Sequence, residues 1–184
     1  GWAMPASMTQ FFNPFFIIVF GSIFSVMWVK LSKIGKNPSI PLKFCFGIIQ
    51  LALGFLITKV GFQFVNESFQ VPLLTLVFLY MLHTTGELFL SPIGLSMVTK
   101  LSPKSMAGTA MGAWFLSFAI ANYVGGKIAA ITGGHGGSDE ALSVGEGLNQ
   151  YLDIFSTIGY VLLGIALIIF LLNKPIKKLM HGVE

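Results

Sequence analysis

The sequence predicts an all-α integral membrane chain, and three observations carry that prediction. First, 54% of the 184 residues are hydrophobic, only 10% are charged, and the mean hydropathy is +0.82. An ordinary soluble domain carries about 25% charged residues, so a water-exposed globule of this composition lacks the polar groups to cover its surface. Second, the apolar residues, 18 phenylalanines among them, gather into five long runs. Each run is much longer than a soluble-domain strand, and the alternation of a membrane barrel is absent. Third, the lysines fall in short patches between those runs, as they do beside membrane spans. A soluble enzyme and a disordered chain are excluded on these grounds.

The spans follow in order, each near the 20 or so apolar residues that a bilayer requires. The first covers about residues 5–29 and ends before the polar segment Lys30 to Ser39. The second covers about 40–64, with Ser39 as its N-cap and Pro41 tolerated in the first turn. A polar break, Asn66-Glu67-Ser68, precedes the third, about 71–100. The fourth covers about 105–130, and a Gly/Ser/acid-rich loop from Thr132 to Gly147 separates it from the fifth, about 148–173.

Lysine placement sets the expected orientation. Lys30, Lys33, Lys36 and Lys43 lie at the first loop, Lys100 and Lys104 at the third, and Lys174, Lys177 and Lys178 after the last span. Lys59 and Lys127 alone fall towards the other side, where Glu67, Asp139, Glu140 and Glu146 cluster. The first and third loops and the tail are therefore expected to be cytoplasmic, in a multi-pass protein of the cell membrane with a cytoplasmic C-terminus. Gly1 is not an initiator methionine, and an odd number of spans that starts outside is what remains when earlier helices are missing. The expectation is the C-terminal part of a longer transporter-like chain.

No arginine is present despite a net charge of +4, so nucleic acid is not an expected partner. One cysteine, Cys45, cannot form an intramolecular disulfide, and with three scattered histidines it makes no zinc-ligand spacing, so no metal or cofactor is expected. The string Gly133-Gly134-His135-Gly136-Gly137 lacks the lysine and hydroxyl of a phosphate-binding loop, and no hydrolase motif occurs.

The third span carries the chemistry. Glu87 lies near the middle of its apolar stretch, where an acidic side chain costs about 2.5–3.5 kcal/mol on insertion scales. It is expected to face a cavity or a partner cation; the alternative is a static ion pair. His83 and Ser91 stand four residues to either side, so the three share one helical face, expected to point into the protein. Pro92 removes a backbone hydrogen bond, which makes the helix locally adaptable. His83 is either a proton relay or a neutral packing residue.

In the first span Gln10 and Asn13 are three residues apart and precede Pro14, which disfavours continuous helix at Asn13. These amides either bind a polar substrate or join helices. The fourth span pairs Gly108 with Gly112 and continues the small-residue spacing through Ser117, Ala121 and Gly125, which predicts close helix packing. Trp114 and Phe115 interrupt it; a mid-helix tryptophan lines a cavity or packs.

The segment GELFLSPIGLSMVTKLSP, from Gly86 to Pro103, resembles the tenth-helix signature of the proton-dependent oligopeptide transporters, a branch of the major facilitator superfamily. Thr9 to Leu31 is similar to that family's eighth helix and Met106 to Gly126 to its eleventh. The resemblance covers nearly the whole chain. It implies five transmembrane helices, eight to twelve, of a C-terminal six-helix bundle, with the seventh helix and the N-terminal bundle absent. It further implies proton-coupled symport of di- and tripeptides by alternating access, with the bilayer and the N-terminal bundle as partners.

By that resemblance Glu87 and Asn13 meet the peptide amino terminus, with Gln10 beside Asn13 and Ser91 one turn after the glutamate. Trp114 and Phe115 match cavity aromatics. Glu87 and His83 are the proton-coupling candidates. Rival readings are a related carrier of nitrate or amino acids, a non-transporting helical membrane subunit and, more remotely, an intramembrane hydrolase using Glu87 and His83.

Overall fold

The computed structural model describes residues 6–67, 70–132 and 144–180. The Gly133–Gly137 string, Asp139, Glu140 and Ser68 lie outside the described residues, as does Pro5 at the expected start of the first span. Seven helices are described: α1 (Ala6–Thr9), α2 (Phe12–Lys33), α3 (Ile40–Phe62), α4 (Leu73–Leu101), α5 (Ala107–Thr132), α6 (Val144–Leu171) and α7 (Asn173–Leu179). Four of them, α2, α3, α4 and α6, are long and apolar enough to cross a membrane. At 26 residues α5 is as long as its neighbours, but its glycines, serine and asparagine dilute its apolarity.

Local chemistry explains where the helices break. The turn between α1 and α2 falls at Gln10 and Phe11, not at Asn13, because the ring of Pro14 collides with the carbonyl four residues earlier, that of Gln10. Beyond the expected Val29, α2 runs one more turn through Lys30 and Lys33, whose charges suit a helix C-terminus. Gly35, at φ +67°, then closes it. The Lys36 amide donates to the Leu31 carbonyl at 2.9 Å and the Gly35 amide to Ser32 at 3.1 Å, the pattern of a Schellman cap. Ser39 does occupy the N-cap of α3, but its hydroxyl lies 2.7 Å from Oδ1 of Asn173 on α7 instead of capping its own helix. Pro175 ends the last apolar run by the same clash, with the carbonyl of Leu171, so α6 stops at Leu171 and a short α7, unforeseen in the sequence, follows after Leu172.

The helix α3 is the centre of the bundle. Gly47, Gly54 and Gly61 repeat every seven residues and so lie on one face, and α4 packs antiparallel into it. A Cβ on Gly47 would stand 2.8 Å from Leu90 Cγ and 3.0 Å from the Gly86 carbonyl; those on Gly54 and Gly61 would strike His83 and Thr75. The opposite face of α3 receives α6, also antiparallel. There the Cys45 thiol donates to the Ala166 carbonyl at 3.3 Å, and Gly159 abuts Leu56. On the far side of α4 lies α2, through Phe24 and Trp28 edge-on to Phe89 at 5.0 and 5.1 Å. Lys43, expected with the loop lysines, is in fact 7% exposed, its Nζ 4.7 Å from the Trp28 ring.

The small residues of α5 do not pack as expected. A Cβ added at Gly108, Gly112 or Gly125 meets nothing within 4 Å. The helix joins α4 the other way round, its bulky Trp114 filling a notch at Gly94. The close approaches therefore belong to α3 and α4, where glycine faces a bulky partner.

Two alanine substitutions separate these environments. Gly86→Ala places a methyl 2.8 Å from the Gly47 backbone carbonyl, and overpacking of that kind costs about 1–3 kcal/mol. Gly112→Ala adds a methyl in open space and gains helix propensity, up to about 1 kcal/mol. Melting curves in detergent are expected to fall for the first variant and to hold or rise for the second.

Candidate functional site

The site is organised along α4. Thr84, Thr85 and Gly86 are buried in succession, and Glu87 then emerges exposed. Thr85 satisfies its hydroxyl within the helix, donating to the Met81 carbonyl at 2.8 Å. Thr84, at 0% exposure, instead accepts a hydrogen bond at 3.1 Å from Nδ2 of Asn13 on α2. Asn13 is thereby fixed one turn of α4 away from Glu87. Phe12 packs at 6.0 Å on Tyr80, which holds the same junction from the other side.

Glu87 makes no hydrogen bond or ion pair with any described residue. Its neighbours on the helix face divide. Each four-residue step turns the azimuth by about 40°, and the strip His83, Glu87, Ser91 winds accordingly. His83 turns into the α3–α4 seam, half-buried, with its ring 4.6 Å from Phe55. Its Nε2 is buried without a hydrogen-bond partner among the described residues. Glu87 is exposed and Ser91 half-buried, so within the described residues the stripe turns into the seam at His83 and opens at Glu87. Across Pro92 the helix runs on without interruption to Leu101.

The two aromatics separate as well. Trp114 is half-buried, its indole in the Gly94 notch two turns below Glu87 on nearly the same azimuth, and Phe118 lies edge-on at 6.0 Å. Phe115, 57% exposed, points elsewhere, since adjacent helical residues diverge by about 100°. Gln10 is exposed in the turn before α2. The structure thus brings together Asn13, Thr84 and Glu87, sets Trp114 at the lower end of their strip, and leaves Gln10 and Phe115 on open surface. Thr84 was missed as an anchor; the signal was a paired threonine inside an apolar run. Among the described residues no three His, Cys, Asp or Glu side chains are grouped to hold a metal.

This arrangement can receive a cation. A carboxylate on an open helix face, one turn from an anchored amide, offers an ionic acceptor beside a carbonyl that can accept a second hydrogen bond.

Comparison with known proteins gives the lineage. The chain is 32% identical over 174 residues to "Dipeptide and tripeptide permease B" of Aeromonas hydrophila, an alignment covering 94% of this chain and 34% of that protein. A crystal structure of a peptide transporter POT in complex with sulfate superposes with a TM-score of 0.74 at 33% identity, over 93% of this chain and 31% of the other. A POT family transporter in complex with 5-aminolevulinic acid superposes at 0.73 and 27% identity, over 90% and 30%. These relatives are transporters, not enzymes, and the chain spans about a third of their length. Apolar helices and relatives alike make it part of a multi-pass membrane protein. The POT family model matches residues 1–140, and by that match the chain belongs to the POT family.

Proposed function

We propose that this chain is part of a proton-coupled symporter of di- and tripeptides, forming five helices of its C-terminal bundle with the lysine-bearing end in the cytoplasm. One observation carries the reading: Glu87 stands exposed and without a partner among the described residues, in the middle of a membrane-length helix and one turn from the Asn13–Thr84 bond. A carboxylate at that depth is stable when it lines a water-filled cavity or meets a cation. Peptides of any side chain share one ammonium and one carboxylate. Glu87 takes the ammonium, with the Asn13 carbonyl beside it, while the basic groups for the carboxylate lie on helices outside this chain.

The mechanism follows from competition. A lysine of the other bundle and the peptide ammonium contend for Glu87, so substrate binding shifts the balance between outward- and inward-open states. Protonating Glu87 releases either partner and ties that balance to pH. His83 is placed one turn away but turned into the α3–α4 seam; its part in coupling is through packing against Gly54, where gain of a charge would loosen the seam. Ser91 and Trp114 bound the lower end of the cavity. The relative bound to 5-aminolevulinic acid, which carries an amino and a carboxyl group but no peptide bond, supports the paired charges as the feature recognised.

The test uses the intact transporter in proteoliposomes. Glu87→Gln is expected to lower dialanine uptake at least tenfold and to abolish its stimulation by external acid, since a hydrogen bond to a charged group contributes about 1.5–3 kcal/mol. Unchanged uptake, unchanged competition by trialanine and unchanged acid response would overturn the proposal. Asn13→Ala and Thr84→Val both remove the interhelical bond, about 0.6–1.7 kcal/mol, and lower the melting temperature alike. Asn13→Ala alone is expected to raise the KM for dialanine several-fold; equal KM values in the two variants make the amide a purely structural tie.

A further inference from the structure

The short helix α7 is not accounted for by transport. Asn173, Ile176 and Met180, spaced i, i+3 and i+7, turn towards the bundle. Ile176 and Met180 close over a small apolar hollow lined by Ile40, Phe44 and Met97, and Asn173 meets the Ser39 hydroxyl at 2.7 Å. The helix is thus fastened beneath the start of α3, beside the α2–α3 loop. Its other face carries Lys174 and Lys178, and Lys177 flanks the docked face; all three are exposed. Lys33 and Lys36, also exposed, lie on the end of α2 and on that same loop, six and three residues before Ser39.

This is not a plain solvated charge run. Leu171, Leu172 and Leu179 are exposed beside the lysines, Leu179 at 73%. Cations set among bare leucines at the end of a membrane span match a partner that is anionic at one end and apolar at the other. A soluble anion would leave those leucines in water, and a nucleic acid would find no arginine to hold it. The short α7 has too few turns for its own dipole to bind an anion, so the side chains must do so.

We propose that α7 and the α2–α3 loop form a headgroup site for an anionic glycerophospholipid of the leaflet at the lysine-bearing end of the bundle. Lys174 and Lys178 contact the phosphate from one side and Lys33 and Lys36 from the other, and the acyl chains lie along Leu172 and Leu179. The docked helix keeps the lysines at the depth of the phosphates, which a free tail would not. The site is independent of the substrate reading, because it needs only that the apolar helices span a bilayer, and its test reads lipid binding without transport.

The intact membrane protein, purified in neutral detergent, is titrated with fluorescent phosphatidylglycerol and with phosphatidylcholine. A lysine near an anionic lipid surface strengthens binding about fivefold. The double variant Lys174→Gln/Lys178→Gln is therefore expected to lose phosphatidylglycerol affinity tenfold or more with phosphatidylcholine binding unchanged. Lys33→Gln/Lys36→Gln should lose it several-fold, and Lys59→Gln, at the opposite end of the bundle, should keep it. Retained phosphatidylglycerol preference in both double variants overturns the site, as does an equal loss in Lys59→Gln. Displacement of the lipid by excess inorganic phosphate also overturns it, since the site would then read a soluble anion.

Discussion

Everything about this bundle depends on how closely α3 and α4 approach. Lipid tails are as apolar as leucine, so helices in a bilayer gain little from the hydrophobic effect when they meet; packing contacts and a few hydrogen bonds decide the arrangement. Three glycines on one face of α3 provide the notches, and Leu90, His83 and Thr75 of α4 enter them. Bringing the backbones this close multiplies weak dispersion contacts that a methyl group at any notch would prevent.

That seam also sets the azimuth of α4, and the site inherits it. With His83 locked against Gly54 and Phe55, Thr84 can only turn towards α2, where Asn13 bonds it. Glu87, three residues on, is then carried to the open face. The polar groups of this stretch are therefore sorted by rotation: Thr85 bonds its own helix, Thr84 bonds the neighbour, and the Glu87 carboxylate is exposed and bonds no described residue. A single helix turn thus combines structural ties with one uncommitted charge.

Much of this was legible beforehand. The long helices and the position of Glu87 in the middle of one of them follow from apolar run length and from the sequence itself. The Gln10–Asn13–Pro14 segment was rightly read as an interruption, although the break sits four residues before the proline, where the steric clash acts. The glycines of α5 were read as a packing face because small-residue spacing is a strong membrane signal. Spacing alone cannot say which of two helices supplies the hole and which the knob, and here α5 supplies Trp114. The heptad of Gly47, Gly54 and Gly61 on α3 carried the same signal and is the one that packs.

By itself the sequence determined the solvent, the secondary structure and the residue that does not belong in oil, because those depend on local composition and on transfer free energies that each segment meets alone. Tertiary structure alone decided that Asn13 meets Thr84, that His83 turns into a seam while Glu87 does not, and that Trp114 and Phe115 part company. Those outcomes depend on the rotation of each helix about its axis. Rotation is set by contacts between segments as much as 134 positions apart, as at Ser39 and Asn173, and no pattern within one segment records it.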